Sequence, residues 1–339
     1  MKKLNFIIKC GLALLLLSFY SCESWLNVTP SDRLSEEMLF NDREGFVKAL
    51  NGVYIELNTN ELYGRNLTAG ALDVMGQYYS VASSSHAFYN YGGLVYTGND
   101  EKALFDNMWQ KCYAVIACCN TIIEKCDENK AGLSPVWKGA IKGEALALRA
   151  MLHFDMLRLF GPLTSELDKE SIPYQTNSDQ TVTPLLSGSE VVGLILDDLK
   201  NAVGLLKDTD PYFVEEEFSD TDLNYRRFRM NYFAAKGLMA RVQLWGGDKE
   251  KAAATAKEVI AEGQAEGAEF FPFVTNSEAT SSNPDRVFYS EVLFGTYHSS
   301  REKLHEDLFA PTLESTSILT LAGTARRDDL YDNENDYRY

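Results

Sequence analysis

Apolar residues recur three and four positions apart over several long stretches, the spacing of one buried face on an α-helix. The first such stretch is 43–57, where Phe46, Leu50, Val53, Tyr54 and Leu57 fall together. The pattern returns over 101–127 through Phe105, Met108, Cys112, Ile116, Cys119, Ile122 and Cys126. It continues over 135–160, with Ser134 as N-cap and Pro135 at the first helical position. That helix is apolar on more than one side (Leu146, Leu148, Met151, Leu152, Phe154, Met156, Leu157), which predicts an interior position, and Gly161-Pro162 stops it. Ser187 and Glu190 form a capping box for a helix at 188–206, with a predicted buried stripe of Val192, Ile195, Leu199, Val203 and Leu206. Helices at 231–246 and 249–263 follow, split by Gly246-Gly247-Asp248, with Asp248 as N-cap.

Two regions lack this period. Residues 58–100 are rich in Gly and contain Ser83-Ser84-Ser85, with Tyr63, Tyr78, Tyr79, Phe88, Tyr89, Tyr91 and Tyr96 among them. A loop of this length inside a compact protein is usually functional. After residue 265 the pattern dissolves again into Gly, Pro, Ser and Asn with short apolar pieces. The pattern predicts a mainly α fold of antiparallel helix hairpins, with long irregular loops and little strand.

The hairpins carry a tetratricopeptide-like register. Ala150, Phe154, Leu157 and Pro162 fit the second helix of that repeat. A weaker copy runs from Gly247-Asp248 through Ala252, Ala256 and Val259, with Gln264 in place of Pro. These are packing positions; they predict stacking and name no ligand.

The N-terminus reads as an address. Lys2 and Lys3 precede an apolar run at 11–17, and Ser21-Cys22 ends it. This predicts a signal peptide over 1–21 rather than a membrane span, since Lys9 and Ser18 bound a run too short to cross. The small residue before Cys22 resembles a bacterial lipobox, which implies cleavage before Cys22 and its acylation. Residues 22–42 are then an anchor-proximal segment. Of the other cysteines, Cys112, Cys118, Cys119 and Cys126 share one predicted helix. Those seven apart are separated by about 10 Å along the axis, too far for a disulfide. They are read as packing residues.

Composition then narrows the classes. The 339 residues carry 32 Lys+Arg against 49 Asp+Glu, a net charge of −17 with no basic stretch. Nucleic acid and anionic lipid surfaces are excluded as partners on that ground. His86, His153, His298 and His305 lack metal-ligand spacing, and His153 is read as a core histidine. No phosphate loop, dinucleotide fingerprint, zincin motif or nucleophile elbow occurs, so no catalytic residue, metal or cofactor is assigned.

The segment Gly143-Glu144-Ala145-Leu146-Ala147-Leu148-Arg149-Ala150-Met151-Leu152-His153-Phe154-Asp155-Met156-Leu157-Arg158-Leu159-Phe160-Gly161-Pro162 resembles the signature of the SusD/RagB family of outer-membrane lipoproteins of Bacteroidetes. Cys22 to Pro30 resembles the family's lipidated start, and Phe46 to Tyr54 its first core helix. Trp109 to Asn120 resembles the helix before the signature, and Ala240 to Trp245 with Gly247, Asp248 and Ala252 a later repeat unit. The resemblance implies a SusD-like helical core over 43–265 and an irregular partial ligand-binding and C-terminal region over 266–339. It implies a non-catalytic lipoprotein on the outside of the outer membrane, without cofactor, that binds a nutrient and passes it to a SusC-like TonB-dependent transporter. The nutrient in this family is usually a glycan, sometimes a peptide. Family members are longer than this chain, whose last residues read as mid-domain text; a truncated or split reading frame is the expectation.

Sugars offer flat C–H faces and hydroxyl rims, which aromatic rings and Asn, Asp or Arg complement. The candidate ligand residues are therefore Arg65, Asp73, Tyr78, Tyr79, Tyr89, Tyr91, Tyr96 and Asn99, with only a few of them expected to touch ligand. The match to the family there is one of position. The competing readings are a peptide-binding member, a helical-repeat scaffold that binds only protein, and a secreted hydrolase.

Overall fold

The computed structural model describes residues 36–179, 181–218, 221–265, 268–321 and 328. The signal segment, Cys22 and the last residues lie outside the described set.

The main helices are α1 (Arg43–Leu57), α2 (Asn99–Glu128), α3 (Pro135–Phe160), α4 (Gly188–Thr209), α5 (Tyr232–Trp245), α6 (Lys249–Gly263) and α7 (Arg301–Leu308). The sequence signals place most of their ends. Ser134 accepts from the Trp137 amide, Ser187 and Glu190 close a reciprocal capping box, and Asp248 accepts from the Lys251 amide. The turn between α2 and α3 depends on Asn129 (φ 46°), whose amide side chain bonds both the N–H and the C=O of Leu133. Asn tolerates this left-handed conformation because its side chain satisfies neighbouring backbone.

Helices stack in chain order, α2 on α3, α3 on α4, α4 on α5 and α5 on α6. Helix α3 is the centre, with its broadest contact against α4 and the next against α2. Most of α3 is buried, as its apolar excess predicts. The approach of α4 is close: a Cβ on Gly143 would stand 2.8 Å from Leu206 Cγ, so only glycine fits. Helix α4 buries Val191, Ile195, Leu199, Ala202 and Leu206; Val192 and Val203 are half-buried. The predicted stripe is thus rotated slightly at two positions, because α4 is covered by both α3 and α5 and buries Asp198 as well. Cys112, Cys119 and Cys126 are fully buried in the core. Cys118 is exposed and is no packing residue, since it sits one position off the buried face.

Two networks of polar side chains cross this core. Arg149 forks onto Asp198 with two bonds of 2.7 Å and donates to Asn120 at 2.8 Å, while Tyr174 donates to Asp198 at 2.5 Å. His153 is buried as read: Nε2 accepts from the Gln175 amide and Nδ1 faces the Arg149 carbonyl at 3.0 Å. Burial pushes its pKa down to about 3, so it is a neutral imidazole. A second network centres on Glu144, which accepts from Tyr54 at 2.5 Å, Arg226 at 3.1 Å and Arg229 at 2.8 Å. It joins α1, α3 and the chain entering α5.

Strand is scarce among the described residues: three two-stranded antiparallel pairs. No described helix is long and apolar enough to cross a membrane.

Candidate functional site

The glycine- and tyrosine-rich loop is more ordered than its lost period suggests. One-turn helices at Ala71–Met75 and Tyr89–Gly92 fold back on each other. Ala71, Val74, Phe88 and Tyr91 are buried together with Leu308 and Leu319. The two irregular regions of the sequence thus share a small hydrophobic core of their own. Tyr79 and Ser80 pair with Leu321 and Thr320 in a short ladder, which fastens the loop to the later segment. Phe105 links this lobe to the helical core: its ring meets Tyr91 at 5.9 Å, Tyr96 at 5.4 Å and Phe160, at the end of α3, at 6.1 Å.

The candidate residues divide by burial. Tyr91 is 2% exposed and serves as the lobe's core, with its hydroxyl pushed up to about 12, first by burial and then by Glu101. Tyr79 is half-buried against Phe309 at 5.3 Å, and burial with the nearby Asp73 raises its pKa. Tyr78 (43%), Tyr89 (43%) and Tyr96 (38%) present ring surface to solvent. Beside Tyr96 the exposed Leu94 and Val95 extend the apolar surface. Leu94 adopts φ 55° and Gln77 φ 61°, rare conformations for such side chains. Gln77 is held there by bonds from its amide to the Gly92 carbonyl at 3.0 Å and the Val74 carbonyl at 3.3 Å. That crosslink fixes the bend from which Tyr78 emerges.

Polar candidates are dispersed. Asp73 is half-buried next to Tyr79, and desolvation raises its carboxyl. Asn99 is the exposed first residue of α2. Arg65 lies apart, in a polar cleft of about 340 Å³ shared with Asn60, His298, Lys303 and Asp307. His298 meets the Gly64 carbonyl at 3.1 Å and Lys303 pairs with Asp307 at 3.1 Å. The contribution of 298–307 was invisible in the sequence, because no periodic signal ties α7 to a loop more than two hundred residues earlier. Among the described residues no cluster of His, Cys, Asp or Glu is placed to hold a metal.

Stacked helix hairpins carrying a small lobe with exposed aromatic rings define a helical-repeat protein. The chain belongs to the SusD-like family described as "Starch-binding associating with outer membrane", whose model matches residues 24–244. It is 26% identical over 265 residues to SusD-like protein P2 of Formosa agariphila, covering 76% of this chain and 46% of that protein. It is 30% identical over 146 residues to a SusD-like protein of Bacteroides ovatus, covering 42% of this chain and 23% of the relative. The chain therefore spans less than half the length of the curated relatives it matches.

A crystal structure of a SusD superfamily protein from Bacteroides thetaiotaomicron superposes with TM-score 0.65 at 19% identity, over 88% of this chain and 63% of the other. A crystal structure described as a putative sugar binding protein from Bacteroides vulgatus does so with TM-score 0.58 at 25% identity, over 75% and 54%. The mainly helical SusD-like fold is thereby established.

Proposed function

We propose that this protein is a non-catalytic cell-surface lipoprotein that binds a neutral glycan and passes it to a SusC-like TonB-dependent transporter in the outer membrane. The observation that carries the binding step is the set of exposed rings, Tyr78, Tyr89 and Tyr96, mounted on a lobe with its own buried core. Their phenols offer hydroxyls at the rim of an apolar face. Rings held by packing lose little entropy when a sugar stacks on them. Asp73, beside Tyr79, adds an acceptor for a sugar hydroxyl.

The family description, starch-binding and outer-membrane-associated, supports this reading, as does the likeness to the putative sugar binding protein. Lipid on Cys22 supplies the anchor in this account. Native gels cast with starch, xylan or β-glucan test the binding: migration slowed by at least one of these neutral polymers is expected. Unaltered migration in all of them overturns the reading. Replacing Cys22 with Ala should release the protein from the membrane fraction.

A further inference from the structure

A second cavity lies away from the tyrosine lobe, between the end of α1 and the segment entering α5. It has a volume of about 420 Å³ and is lined by the rings of Tyr54, Tyr225, Phe228 and Tyr297 together with Asn58 and Arg229. That size is within the ~300–1,000 Å³ of small-molecule sites. Tyr225 is 65% exposed and Tyr297 63%, so two of the rings are open to solvent.

The wall also holds unused hydrogen-bonding capacity. Arg229 is 5% exposed and its Cζ sits 4.7 Å from the centre of the Tyr54 ring. Its Nε donates to Glu144 at 2.8 Å and its Nη1 to Asn51 at 2.6 Å, but Nη2 has no partner among the described residues. Asn58 donates through Nδ2 to the Tyr54 and Tyr297 carbonyls, each at 2.9 Å, while its Oδ1 accepts from nothing among the described residues. Buried polar atoms are normally satisfied, so a donor and an acceptor left over in two residues that line the cleft need an explanation.

The charges beneath the cleft are already balanced: Arg226 and Arg229 are paired with Glu144 and Asp210. An occupant therefore brings no net charge. It must supply an acceptor for Nη2, a donor for Oδ1 and an apolar face for the rings. A hydroxyl both accepts and donates, and a pyranose ring carries hydroxyls around a C–H face. No strand edge borders the cleft among the described residues, so an extended peptide has no ladder to join. The geometry points to a second glycan subsite here, for a neutral hexose unit, with Tyr225 and Tyr297 as the stacking rings and Arg229 and Asn58 as the polar contacts. This inference rests on the glycan-binding reading above and assigns a second place for the same class of ligand.

Protein carrying 3-fluorotyrosine tests it by fluorine NMR. Tyr225→Phe and Tyr297→Phe identify the two resonances by their loss, and maltoheptaose, xylohexaose and laminarihexaose serve as probes. A probe that binds should shift both resonances, and Tyr225→Ala, at an exposed position, should weaken binding read at Tyr297 by about tenfold. Shifts confined to the tyrosines of the 78–96 loop overturn the second subsite and leave the glycan-binding function standing. No shift at any tyrosine with any probe overturns the function, and the subsite with it. Shifts at the cleft that persist undiminished in Tyr225→Ala also contradict the assignment.

Discussion

Neighbouring tyrosines in one loop do different jobs, and burial decides which. Tyr91 is enclosed by Phe88 and Phe105, whereas Tyr89, two positions earlier, is open. Tyr91→Ala should cost about 3 kcal/mol, the usual price of emptying an aromatic core site, and lower the thermal midpoint. Tyr89→Ala should leave the midpoint within a degree or two, because an exposed side chain contributes little to stability. Scanning calorimetry on the two variants separates them. The loop's tyrosine density was legible from composition and spacing. Which rings face outward was not, since that depends on Leu308 and Leu319 arriving from far along the chain.

A second residue-scale consequence concerns pH. His153 titrates near 3 when folded, against about 6.5 for a free imidazole, because burial penalises its charged form. The unfolded chain then binds a proton that the folded chain refuses. Its contribution to stability is complete above about pH 6.5 and is lost as pH falls toward 3, at up to about 1.4 kcal/mol per pH unit. His153→Gln should flatten that part of the profile in urea titrations between pH 7 and 4. An unchanged slope would show that His153 is not the group responsible.

At the scale of elements, local signals and long-range pairing were legible to different degrees. Capping residues act on amides three positions away, so Ser134, Ser187 and Asp248 mark the starts of α3, α4 and α6 in the text itself. Glu144 acts on Arg226 and Arg229 across the bundle, and nothing local marks that pairing. In the sequence it was one member of a family-like signature; in the fold it holds α1, α3 and the approach to α5 together. Glu144→Gln removes the charge that balances buried guanidiniums and should cost about 3–5 kcal/mol, read as a lower urea midpoint. A change below 1 kcal/mol would mean that water reaches the network.

The molecule as a whole consists of a large helical core and a small lobe built from two regions without helical period. The core follows from repeat register and periodicity, which is why its architecture could be read from the sequence. The lobe has few buried residues and short ladders, so its amides should exchange hydrogen before those of α3 and α4. Lobe and core protected to the same degree would contradict this division. In the proposed function this lobe supplies the binding surface, carried on loops in front of a helical scaffold devoted to packing.

The most direct test of glycan binding by this lobe is calorimetric titration of the full chain with maltoheptaose, xylohexaose and laminarihexaose. The protein and its Tyr78→Ala/Tyr89→Ala/Tyr96→Ala variant are compared, with circular dichroism confirming an unchanged fold. The account predicts saturable heat from at least one oligosaccharide and an affinity at least tenfold lower in the variant. Identical isotherms for the two proteins, or no heat from any of these sugars, would contradict it.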